Sequence, residues 1–165
     1  MLDCETEKGK RFINEQHATQ KALEKYGFVF INTFPLNHGL DAIIAKKNGP
    51  ILEMAGLAEI KSRMMAGGVP LTVRYLSENG GYLVTHSKIK FGVDLAYQFG
   101  VPFFLIVRLL SEGLILIWKL SDNNGQYLFD FITKGTETQS TCNGGSTVRI
   151  NAYLPVEKAK IIEFK

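Results

Sequence analysis

Asp41, Glu59 and Lys61 are the residues of this chain whose types and spacing suit chemistry on a phosphate ester. The two acids sit at opposite ends of LDAIIAKKNGPILEMAGLAEIKSR, in which apolar runs flank a turn signal at Asn48-Gly49 and close on the triplet Glu59-Ile60-Lys61. A β-hairpin over this stretch would bring the ends together. A tight turn at Asn48-Gly49 would need residue 50 to donate a backbone N–H, and residue 50 is proline. A longer loop centred on Pro50 is therefore expected, pairing Lys47 with Glu53, Ala45 with Ala55, Ile43 with Leu57 and Asp41 with Glu59. The opposite charges of Lys47 and Glu53 support this register, and strand alternation places Lys61 on the face of Glu59 and Asp41. A one-residue slip, or a bulge at Gly56, would separate the acids.

Two carboxylates opposed at ~5 Å repel by roughly 3 kcal/mol at an effective dielectric of about 20. Lys61 offsets part of this. A hard divalent cation with oxygen ligands offsets the rest, and both Mg²⁺ and Mn²⁺ suit such ligands. A cation of this kind acidifies water and stabilises charge on a phosphoryl group, while a lysine orients the nucleophile or the developing anion. The bland alternative is a surface charge cluster. A second acid-x-lysine, Glu163-Phe164-Lys165, has no acidic strand upstream, so context carries the inference and the tripeptide does not.

The segments GLDAIIAK and LAEIKSR together resemble the core motif of the PD-(D/E)xK nuclease superfamily. The resemblance implies a Mg²⁺-dependent DNA endonuclease with Asp41 and Glu59 as metal ligands, the Ile60 backbone carbonyl as a further ligand, and Lys61 as the catalytic lysine. It also implies an α/β fold with a restriction-endonuclease-like core, a central mixed β-sheet flanked by α-helices. Upstream, KGKRFINEQHATQKALEKYGFVFINT resembles the first helix and strand of the archaeal Holliday junction resolvase branch, in which a helix glutamate joins the site; Glu15 is the matching residue. Downstream, SKIKFGVDLAYQFGVPFFLIVR resembles the helix and strand after the catalytic hairpin, so the likeness spans roughly residues 8 to 118. Leu40 stands where the motif's name has proline, and VPLTVRYLSENGGYLVTHS is longer than a minimal resolvase needs. Dimerisation is implied by the family, because paired sites cut two strands. Three readings stay open: a structure-selective, junction-resolving nuclease, a sequence-specific restriction-type or phage-type nuclease, and a DNA-binding module that keeps the fold without catalysis.

The elements that must position these residues follow from periodicity. Residues 10–26 read as a helix stopped at Gly27, with Phe12, Ala18, Ala22 and Leu23 at helical spacing. Glu15 lies three residues from both Phe12 and Ala18, which leaves it either near the inward face or partly exposed; His17 is read as a surface residue. Residues 28–33 read as a strand. Arg63, with residues 63–70 (RMMAGGVP), falls on a loop beside the site, made mobile by Gly67-Gly68 and suited to gripping DNA. LTVRYLSENGGYLVT reads as a second hairpin, and residues 87–99 as a helix capped by Ser87 or Thr85 and ended by Gly100. Lys88 and Lys90 fall in its first turn, where cations oppose the helix dipole; phosphate contact would explain them, and a solvated helix start is the alternative. Residues 121–147 are rich in Asn, Gly, Thr and Ser and read as a polar loop or added hairpin. Residues 148–154 read as a strand, and VEKAKIIEF as a short closing helix after Pro155.

Composition limits the class. With 165 residues, 45% of them hydrophobic, the chain suits one domain with a substantial core, and a net charge of +3 permits nucleic-acid binding without requiring it. Cys4 and Cys142 are too few for a disulfide framework and lack zinc-site spacing. The polar N-terminus has no signal-peptide core. The longest apolar stretch, VPFFLIVRLLSEGLILIWKL, is interrupted by Arg108 and by Ser111-Glu112-Gly113. It therefore reads as two core strands joined by a turn, whereas a membrane span wants ~20 predominantly apolar residues. A soluble, cytoplasmic protein is expected.

Overall fold

The computed structural model describes residues 6–32, 40–66, 68–138 and 147–164, without the side chains of Lys8, Thr138 and Thr147. Helix α1 (Glu7–Glu24) starts where the Thr6 side chain accepts from Gly9 N at 3.1 Å. Strand β1 (Val29–Asn32) follows, then β2 (Ala42–Asn48) and the 13-residue β3 (Ile51–Arg63). A two-residue ladder of β4 (Met65–Ala66) and β5 (Val69–Pro70) leads to the short helix α2 (Val73–Glu78), β6 (Tyr82–Thr85) and α3 (His86–Gln98). The chain continues through β7 (Phe103–Leu109), β8 (Leu114–Lys119), β9 (Ile132–Thr138) and β10 (Thr147–Leu154). A single 3-10 turn, Val156–Lys158, precedes β11 (Lys160–Glu163).

The main sheet has the order β1-β2-β3-β7-β8-β11, antiparallel throughout except between β3 and β7. It is therefore mixed, and the parallel pair requires a crossover, which α3 supplies. Both faces are buried, so the central strands are apolar at nearly every position. Ala58, Ile60, Ile106, Ile115 and Ile117 look toward Leu23 of α1, while Leu57, Leu105, Val107, Leu116 and Trp118 look toward Ile89, Val93 and Ala96 of α3. A second sheet, β6-β10-β9, packs Val84, Ala152 and Leu154 into that second layer. The expected α/β architecture with a large mixed sheet flanked by helices is present. Among the described residues no helix is long and apolar enough to cross a membrane.

The hairpin that carries the acids closes differently from its expected form. Asn48 pairs with Ile51, which leaves a two-residue turn at Gly49-Pro50. Gly49 has φ 59°, and a positive φ followed by proline's fixed negative φ is the pattern of a type II′ turn. Proline occupies a turn position where no strand partner asks for its missing N–H. The tight turn shifts the pairing near the loop by one residue, giving Lys46 with Glu53 and Ala45 with Met54 instead of the expected Lys47/Glu53 and Ala45/Ala55. A bulge at Ala55 then restores the offset, since Ile44 pairs with Gly56 and Ile43 with Leu57.

Three further expectations are corrected. Met65–Ala66 and Val69–Pro70 pair as the β4–β5 ladder, where a loop over 63–70 was expected; Gly67 lies outside the described residues. The stretch read as a second hairpin folds instead as α2 followed by β6, because Thr72 caps a helical turn by accepting from Tyr75 N at 3.0 Å. The closing helix is replaced by the 3-10 turn and β11, whose backbone completes the edge of β8. The polar segment contributes the hairpin β9–β10; residues 139–146, including Cys142, lie outside the described residues, as do Cys4, Thr33 and Lys165.

Candidate active site

β2 begins at Ala42, which pairs with Ala58, so among the described residues no strand pairs with β3 on that side from Glu59 onward. Asp41 sits at this corner. Its N–H donates to Ala58 O at 3.2 Å, and its Oδ2 accepts from Ile60 N at 2.7 Å, so a carboxylate takes the place of the next strand residue in the ladder. Alternation along β3 turns Glu59 and Lys61 to one side, as expected. The Lys61 Nζ lies 2.6 Å from Glu59 Oε1 and 3.4 Å from Asp41 Oδ2. The site is enclosed: side-chain exposures are 11% for Asp41, 3% for Glu59 and 11% for Lys61.

Two elements close over it. From α1, Phe12 puts its ring 5.2 Å from Lys61 Nζ, and the Gln16 amide donates to Ile60 O at 3.4 Å. From α3, Lys88 reaches Glu59 Oε1 at 2.8 Å with half of its side chain in solvent. Two carboxylates thus face two ammonium groups. Burial pushes the Asp41 carboxyl above its ordinary range and the charge of Glu59 adds to that, against the opposing pull of Lys61, Ile60 N–H and Gln16. Burial acts on Glu59 in the same sense, but the ammonium groups of Lys61 and Lys88 outweigh it and hold its carboxyl below the usual value.

The sequence-derived candidates divide accordingly. Asp41, Glu59, Lys61 and the Ile60 carbonyl come together. Glu15 turns aside: its Oε1 accepts from Arg11 Nε at 3.0 Å, and it lines a cavity of about 330 Å³ with Lys10, Arg11 and Arg108. Successive helix residues are about 100° apart, so Phe12 and Gln16, four apart, share the stripe over β3 that Glu15 leaves. Gln16 is the residue missed. It is 2% exposed, and a buried amide on a helix is a signal that sequence alone does not display. Lys88 serves Glu59, which is what draws a cation to the first turn of α3. Lys90 is exposed on that helix, and Arg63, exposed at the end of β3, donates to Ser62 O at 3.0 Å.

The donor set accommodates a hard divalent cation. Two carboxylates and a backbone carbonyl match the mode in which Mg²⁺ is held by one or two carboxylates with water completing its shell. Among the described residues no group of three or more His, Cys, Asp and Glu side chains converges on one point. No protein-family model, curated protein or solved structure matches the chain.

Proposed function

We propose that the chain is a Mg²⁺-dependent endonuclease that hydrolyses DNA phosphodiester bonds, with the chemistry of the PD-(D/E)xK class. The observation that carries this reading is Lys61, held within 2.6 Å of Glu59 and 3.4 Å of Asp41 where the pairing of β2 with β3 ends. A buried acid pair joined to a lysine is costly as mere structure, because desolvation of charges offsets much of their attraction. It suits a site that must hold a cation and orient a nucleophile.

Asp41 and Glu59 would hold the cation, with the Ile60 carbonyl beside them. When bound, the cation supplies Lewis-acid stabilisation of phosphoryl charge and an acidified nucleophile. Lys61 would orient the attacking water and neutralise the developing anion. Gln16 fixes the geometry by tying the Ile60 carbonyl to α1, and Phe12 covers the lysine from one side. Junction-selective cutting by paired copies is the first substrate reading, resting on the α1–β1 and α3–β7 segments. Sequence-specific cutting is favoured by the outer part of the β9–β10 pair, which extends beyond β6 as two strands of the kind a major groove admits, with Val148, Arg149 and Ile150 exposed.

The test is cleavage of linear duplex, single-stranded and four-way-junction DNA with Mg²⁺ or EDTA, by wild type and by Asp41→Asn and Lys61→Met. Metal-dependent cutting lost in both variants supports the site, and the preferred substrate chooses between the two nucleases. Binding without cutting on every substrate would leave the non-catalytic module.

A further inference from the structure

The charges at the end of β3 cancel before any ligand arrives. Asp41 and Glu59 bring two negative charges, and Lys61 and Lys88 bring two positive ones. Both ammonium groups crowd one oxygen, Glu59 Oε1, at 2.6 and 2.8 Å. They are not equivalent. Lys61 is 11% exposed and is gripped by Asp41 and Phe12, whereas Lys88 is 50% exposed and is attached through the first turn of α3, where the helix dipole disfavours a cation. Among the described residues, Glu59 is the ion-pair partner that makes that position favourable for Lys88.

Resting on the nuclease reading above, we propose that Lys88 is a positioning residue that couples cation binding to substrate binding. A divalent cation added to a neutral site leaves two uncompensated positive charges beside a side chain that is 3% exposed, and an unbalanced charge there is expensive. The cation therefore binds the free protein weakly. A DNA phosphodiester brings one of the two missing negative charges. Lys88, the more exposed of the two lysines, can leave Glu59 for that phosphate as the cation takes the carboxylate. Each ligand lowers the cost of the other, and thermodynamic linkage makes the effect reciprocal. Cutting then waits for DNA, and the protein does not hold a loaded cation when no substrate is present.

The experiment measures Mn²⁺ affinity by electron paramagnetic resonance on the full chain, alone and with a phosphorothioate duplex that keeps its charge and resists hydrolysis. For wild type, DNA should tighten Mn²⁺ binding about tenfold, within the roughly 5–150-fold range of coupled sites, and Mn²⁺ should tighten DNA binding by the same factor. Lys88→Met should bind Mn²⁺ about tenfold more tightly without DNA and lose most of the coupling, and Lys88→Arg should restore both wild-type values. Unchanged or weaker Mn²⁺ binding by Lys88→Met, or full coupling retained in it, overturns the role of Lys88 and leaves the nuclease site standing. Wild-type Mn²⁺ binding that is indifferent to Asp41→Asn overturns the site as well.

Discussion

Asp41 and Glu59 share one site but stand in opposite relations to the stability of the fold, and replacing each by its amide should separate them. Glu59 is 3% exposed and accepts from Lys61 at 2.6 Å and from Lys88 at 2.8 Å. A charged hydrogen bond contributes roughly 1.5–3 kcal/mol net, and the half-solvated Lys88 adds less than about 1 kcal/mol. Relief of repulsion with Asp41 returns part of this, so Glu59→Gln should cost about 1–3 kcal/mol at neutral pH. Asp41→Asn keeps an oxygen to accept from Ile60 N, loses only the long 3.4 Å contact with Lys61, and gains the same relief. It should lie within about 1 kcal/mol of wild type, or above it.

The pH dependence has opposite signs for the two acids. The Glu59 carboxyl is held below its ordinary value of 4.5, so its contribution is present above pH 4.5 and is lost as pH falls through the lowered folded value. The Asp41 carboxyl is held above 3.8, so the unfolded chain releases that proton first, and stability drains away as pH rises from 3.8 through the raised folded value. Urea unfolding followed by the single tryptophan, the fully buried Trp118, would read both variants across pH. Equal losses for the two amides, or a loss above about 2 kcal/mol for Asp41→Asn, would refute the reasoning.

Three other outcomes follow from the same contacts. Gly92→Ala should destabilise by about 1–3 kcal/mol in thermal unfolding despite alanine's helix propensity, because a Cβ there runs into the ring of the buried Phe103. Arg108→Met should leave stability within about 0.5 kcal/mol or raise it, since the guanidinium stacks 4.1 Å from Phe164 while its buried Nε has no hydrogen-bond partner among the described residues; a large loss in denaturant titration would contradict this. Mg²⁺ affinity measured by calorimetry should begin to fall at a higher pH than an ordinary aspartate would dictate, because protons compete for Asp41 above its ordinary range.

How far the sequence foretold the site differs residue by residue. Proximity of Asp41 to Glu59 was legible because strand alternation and an apolar hairpin left few other arrangements. Its derivation contained two errors that cancel: the turn is one residue tighter than expected, and the bulge at Ala55 restores the offset. A bulge is set by local twist and packing, which a one-dimensional pattern does not carry. The α2 segment misled because a short apolar run fits helix and strand alike, and only the Thr72 cap decides. β11 was misread because its state is fixed by the unpaired edge of β8, a tertiary demand. Gln16 and Lys88 reach the site through helix phase and through a crossover spanning 29 residues, neither of which local spacing resolves.

The most direct measurement is single-turnover cleavage of DNA at saturating Mg²⁺ by wild type and Lys61→Met, with DNA binding followed in parallel. Loss of positioned proton transfer and charge stabilisation should slow cutting by about 10²–10⁴-fold while binding persists. Metal-dependent cutting by Lys61→Met at the wild-type rate would contradict a catalytic site at Asp41, Glu59 and Lys61.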